Sequence, residues 1–115
     1  MAASRYYISV PDLGKAHGSE PSLAFEGIGP ERLALELQEA LRGEGLFARW
    51  KAMQADPDEV DPTLGATDPQ ATATGKQSDL RADIELVTSL PMRIVKHRLN
   101  LLIGPNWQLR DMRAA

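Results

Sequence analysis

Apolar and polar residues alternate from the start of the chain. In RYYISV at 5–10, Tyr6, Ile8 and Val10 fall on one side and Arg5, Tyr7 and Ser9 on the other, the period-two pattern of a strand with one buried face. Pro11 ends it, and the turn-forming DLGKAHGSEP predicts a loop, with a short strand at SLAFEG (22–27). Gly29-Pro30 then opens a helix, with Gly29 as N-cap, Pro30 in the first turn and Glu31 beside the positive end of the helix dipole. Leu33, Ala34, Leu37, Ala40 and Leu41 form its apolar stripe, and Gly43 stops it. LFARWKAM at 46–53 alternates again, Leu46, Ala48, Trp50 and Ala52 against Phe47, Arg49, Lys51 and Met53, which predicts a second main strand.

From 54 to 78 the pattern dissolves into three Asp-Pro steps and two glycines, predicting a flexible acidic loop rich in Pro, Gly and Thr. Strand character returns at 80–88, where Ala82, Ile84, Leu86 and Thr88 alternate with Arg81, Asp83, Glu85 and Val87. A second helix follows Pro91, with Met92, Val95, Leu99, Leu102 and Ile103 as its stripe. Gly104-Pro105 ends it, and a last strand turns Trp107 and Leu109 one way and Gln108, Arg110 and Met112 the other. Setting Pro30 on Pro91 also superposes Arg32 on Arg93, Leu41 on Leu102, Gly43 on Gly104 and Leu46 on Trp107, a weak internal repeat. The order β-α-β, loop, β-α-β predicts one α+β domain over 1–115 with ferredoxin-like βαββαβ topology. Its four-stranded antiparallel sheet carries two helices on one face, and the acidic loop separates the second and third main strands.

Composition narrows the function. Thirteen Lys and Arg against sixteen Asp and Glu give a net charge of −3, which does not draw the molecule as a whole to phosphate backbones or anionic lipid. Nucleic-acid binding is therefore not expected. The chain has no cysteine, so disulfides, thiolate nucleophiles and zinc ribbons are excluded, and a reducing cytoplasm fits. The opening MAASRYYISV has one Arg and no sustained apolar run, so neither a signal peptide nor a membrane span is expected.

The expected helix-free sheet face carries Arg5, Tyr7 and Ser9, then Phe47, Arg49, Lys51 and Met53, then Arg81, Asp83, Glu85 and Val87, with Gln108, Arg110 and Met112. Arg49 and Lys51 are expected to pair with Asp83 and Glu85 across the ladder. Tyr7, Phe47, Met53, Val87 and Met112 are the candidate interface on this face, a surface for a homodimer or a protein partner. RNA-recognition motifs use the same topology, but Asp83 and Glu85 stand where those motifs stack bases. Arg93, Lys96, His97 and Arg98 predict a solvated basic face on the second helix, with Ile94 and Leu101 behind it as a second candidate docking surface.

The acidic loop lacks the ligand spacing of an EF-hand, and no cofactor or metal is expected. Asp12 and His17, with Gly29, mark a candidate small-ligand site after the first strand, and Asp12 alone a candidate hydrolase or nuclease carboxylate. With no further nucleophile or metal ligand beside them, the expected function is a non-enzymatic interaction or self-assembly module. A small-ligand-binding regulatory domain is the alternative, and a small metal-dependent hydrolase or nuclease the third.

Overall fold

The computed structural model describes residues 3–115 and is α+β, a four-stranded antiparallel open sheet with three helices. Strand β1 (Ser4–Val10) follows the expected alternation, with Tyr6, Ile8 and Val10 buried. Helix α1 (Pro30–Arg42) buries the stripe its spacing predicts, and α3 (Met92–Ile103) buries Val95, Leu99, Leu102 and Ile103 of its stripe and half-buries Met92; with β1 they build the core. Strand β3 (Arg81–Thr88) buries Ala82, Ile84, Leu86 and Thr88 and exposes the alternate residues more. Between β1 and α1 the expected short strand at 22–27 is absent. Ala16, Leu23 and Phe25 instead plug a compact loop against α3, where Leu102 O accepts from the N–H groups of Gly18 and Phe25 at 3.1 and 2.8 Å.

The second main strand is not at 46–53. Those residues form helix α2 (Gly45–Ala52), which buries Leu46 and Phe47 and half-buries Trp50. The spacing 46, 47, 50 is that of a helical stripe, whereas the alternation puts Phe47 opposite Leu46 and Trp50, and Leu, Ala, Arg and Lys all favour helix. The internal repeat accordingly breaks after Gly43 and Gly104, since Leu46 lies in a helix and Trp107 precedes a strand.

The segment expected as a loop over 54–78 holds two short 3-10 turns, Pro57–Glu59 and Pro62–Gly65, and then strand β2 (Thr72–Ser78). β2 carries no large apolar side chain because α1 comes too close. A Cβ on Gly75 would sit 2.2 Å from Pro30 O, so only glycine fits its helix-facing position. Gln38 Oε1 accepts from Ala73 N at 3.0 Å, and Arg42 Nε donates to Ala71 O at 2.7 Å, tying this polar strand to α1. A two-residue turn with Asp79 at φ 56° joins β2 to β3.

The sheet order is β2-β3-β1-β4, where β4 spans Gln108–Ala114. Between β1 and β4 the register slips by one residue: Ile8 opposes Leu109, while Tyr7 opposes Asp111 and Tyr6 opposes Met112. Arg110 is the extra residue of a β-bulge. Among the described residues, no helix is long and apolar enough to cross a membrane.

Candidate interaction surfaces

Among the described residues, one face of the sheet carries no helix. Cross-strand partners point to the same side, so Arg5, Tyr7, Asp83, Glu85 and Val87 share this face with Thr72, Thr74 and Lys76 of β2. Strand β2 takes the neighbouring place expected for 46–53, so Arg49 and Lys51 do not pair with Asp83 and Glu85. Arg5 Nη1 instead meets Glu85 Oε2 at 2.8 Å, Arg81 Nε meets Asp83 Oδ1 at 3.1 Å, and Lys76 lies opposite Asp83. Arg49, on α2, donates to Ser22 O at 3.4 Å. Tyr7, Lys76, Arg81, Asp83, Glu85 and Arg110 line a hollow of about 430 Å³ in the middle of the face. At its margin the Arg113 guanidinium stands 5.8 Å from the Tyr7 ring centre and bonds Asp111 at 2.8 Å. That bond and the Met112 N–H hold Asp111 below the usual carboxylate range.

The expected apolar patch is therefore dispersed. Tyr7 and Val87 remain on the bare face, half-buried by their neighbours. The bulge turns Met112 to the other side of the sheet, where it lies 54 % exposed beside Leu109 at 42 %. Phe47 and Met53 leave the sheet altogether with α2; Phe47 is buried within the chain, and Met53 shares a small hollow with Leu101, Leu23 and Trp50. Ile94 is buried in the core and unavailable to a partner, because its position on α3 faces inward. Leu101 is half-buried against the same core.

The outer face of α3 also departs from expectation. Arg98 is fully buried: its guanidinium donates to Leu64 O at 2.6 Å and to Ala40 O and Ala66 O at 3.3 Å, and lies 5.2 Å from the Phe47 ring centre. Burial pushes its pKa down, though an arginine stays charged. Arg98 Nη1 also donates to His97 Nδ1 at 3.2 Å, which leaves the His97 proton on Nε2. Nε2 is buried with no hydrogen-bond partner, and the Trp50 ring stands almost perpendicular to the imidazole at 4.4 Å. Burial, and then the adjacent Arg98 charge, lower the His97 pKa below its ordinary value. Arg93 reaches Asp61 Oδ2 at 3.4 Å and Thr63 Oγ1 at 2.9 Å. The Thr63 hydroxyl and N–H, assisted by Arg93, keep Asp61 below the usual carboxylate range.

Asp68, one of the loop carboxylates, is buried. Its Oδ2 accepts from Thr88 Oγ1 at 2.7 Å and Ser89 N at 2.9 Å, and its Oδ1 from Gln70 N at 3.0 Å. Burial alone would raise its pKa, but these hydrogen bonds outweigh that and leave it lowered. Asp68 thus caps the β3–α3 turn, a role that its spacing from the other acids does not reveal.

No protein-family model, curated protein or solved structure matches this chain. Asp12, His17 and Gly29 do come together, lining a cavity of about 500 Å³ with Leu13, Ile28 and Leu80. Within it, Asp12 Oδ1 accepts from Gly14 N at 3.1 Å as a turn cap, and His17 Nδ1 lies 2.9 Å from Phe25 O. Among the described residues, no three His, Asp or Glu side chains are grouped to hold a metal ion.

Proposed function

We propose that this chain is a non-enzymatic protein-interaction or self-assembly module of ferredoxin-like layout, acting in the cytoplasm. The order β2-β3-β1-β4, with the core-forming α1 and α3 on one side, supports that layout, and α2 is then an insertion ahead of β2. The observation that carries the functional reading is the uncovered sheet face, whose hollow presents Tyr7 among alternating charges. Paired charges around an aromatic ring give directional contact and discriminate among partners. Sedimentation from micromolar to millimolar concentration tests self-assembly: a mass that rises with concentration is expected, and a strict monomer throughout excludes it.

The cavity beside Asp12, His17 and Gly29 favours a second reading, a small-ligand regulatory site. Ile28 and Leu80 on its lining are 95 % and 69 % exposed, apolar groups that an apolar ligand with a polar head would cover. In a thermal-shift screen of small metabolites, His17→Ala should abolish any stabilisation seen with the wild type; stabilisation unchanged in that variant removes this site.

A further inference from the structure

Among the described residues strand β4 pairs only with β1, so one row of its backbone N–H and C=O groups is unpaired at the sheet edge. Its bulge has a second effect. In a regular strand residues 109 and 112 lie on opposite faces, but the extra residue Arg110 brings Leu109 and Met112 to the helix-bearing face, opposite Ile8 and Tyr6. Arg110 joins Tyr7 and Asp111 on the bare face, with Gln108 and Arg113. From 108 to 113 the strand therefore reads bare, helix, bare, bare, helix, bare, the same in both directions.

A strand with that pattern can lie antiparallel to its own copy, face matching face. Setting Arg110 against Asp111 places Arg110 of each copy opposite the other copy's Asp111, which also bonds Arg113 of its own strand at 2.8 Å, and sets Arg113 opposite Gln108. The same register sets Leu109 against Met112, twice, covering the two large apolar side chains that β4 leaves 42 % and 54 % exposed. Without the bulge, residues opposed in this register would point to opposite faces. The other sheet edge offers no equivalent, since the only charged residue of β2 is Lys76 and its remaining side chains are small or neutral.

We propose that β4 pairs with β4 of a second copy of this chain about a two-fold axis between Arg110 and Asp111, merging the two sheets. This names the partner and contact within the self-assembly reading above and rests on that reading.

Sedimentation equilibrium of the full chain tests it by charge exchange. The wild type should dimerise reversibly, and Asp111→Arg or Arg110→Asp alone should weaken the dimer about tenfold or more by setting like charges together. The double exchange R110D/D111R should restore it. Because the chain contains no cysteine, a Leu109→Cys chain mixed with a Met112→Cys chain should be crosslinked by a short bismaleimide faster than either alone. A dimer whose affinity ignores all three charge variants overturns the β4 pairing but leaves assembly through another surface standing. A wild type that stays monomeric to millimolar concentration overturns both.

Discussion

The bare face of the sheet and the outer face of α3 are both rich in charge, yet the chain treats them oppositely. On the sheet, Arg5 and Glu85 pair sideways across the ladder and keep about two-fifths of their side-chain surface in water, at 39 % and 41 %. On α3, Arg98 is buried and meets no carboxylate. Its donors go to main-chain carbonyls at the end of α1 and in the 62–66 segment, while α2 brings Phe47 and Trp50 over the helix. The lesson is that charge on an element does not decide whether the surface is open. What decides is whether the chain can supply fixed acceptors for a cation taken out of water. The end of α1 and the 62–66 segment supply them for Arg98, and nothing in the described chain covers the bare face of the sheet.

That contrast can be broken with single substitutions. Arg98→Met keeps much of the side-chain volume but strips three carbonyls of their donor, and should cost about 3 kcal/mol in urea unfolding. A change under about 0.5 kcal/mol, typical of an ordinary surface site, would mean that the α3 face is not closed. Asp68→Ala, which uncaps the β3–α3 turn beneath the same segment, should cost about 2 kcal/mol by the same assay.

His97 tests the covered face by pH. It stays neutral in the fold because its pKa is depressed, whereas in the unfolded chain it takes a proton near its ordinary value of about 6.5. Its contribution to stability is therefore complete above about pH 6.5 and is lost as pH falls from there through the lower folded value. The urea midpoint should drop between neutral pH and mildly acidic pH, and His97→Gln should flatten that slope; an unchanged slope would place His97 in water. The smallest effect belongs to the bare face. Glu85→Gln breaks the pair with Arg5 and should shift stability by about 0.5 kcal/mol or less, a loss that salt removes.

Much of the fold is legible in the residues. β1, β3, α1 and α3 each bury a full apolar face, so their period is unambiguous, and their places along the chain match the pattern closely. β2 is illegible for a definite reason. Its helix-facing positions are Ala73, Gly75 and Gln77, with Gly75 forced where α1 arrives and none of the three large and apolar, so no apolar alternation survives to be read. α2 is misread because in eight residues Leu46, Ala48, Trp50 and Ala52 make an alternation while Leu46, Phe47 and Trp50 make a helical stripe, and only docking against α1, His97 and Arg98 of α3 and the Pro62–Gly65 turn chooses between them. Of the candidate interface residues, Tyr7 and Val87 lie where alternation placed them. Met112 does not, because alternation counts residues and cannot detect a bulge.

The amino-acid pattern by itself therefore determined an α+β chain with two amphipathic helices and two strands that each bury one face, since these follow from local periodicity and from where Gly and Pro interrupt it. Tertiary structure alone decided which polar segment became the edge strand, which charged face was covered and where β4 slips its register. Each of those outcomes turns on a contact between residues far apart in the chain: Pro30 against Gly75, Arg98 against the Leu64 carbonyl, and Tyr7 opposite Asp111. Period and propensity act over a few neighbouring residues, so they carry no information about such meetings.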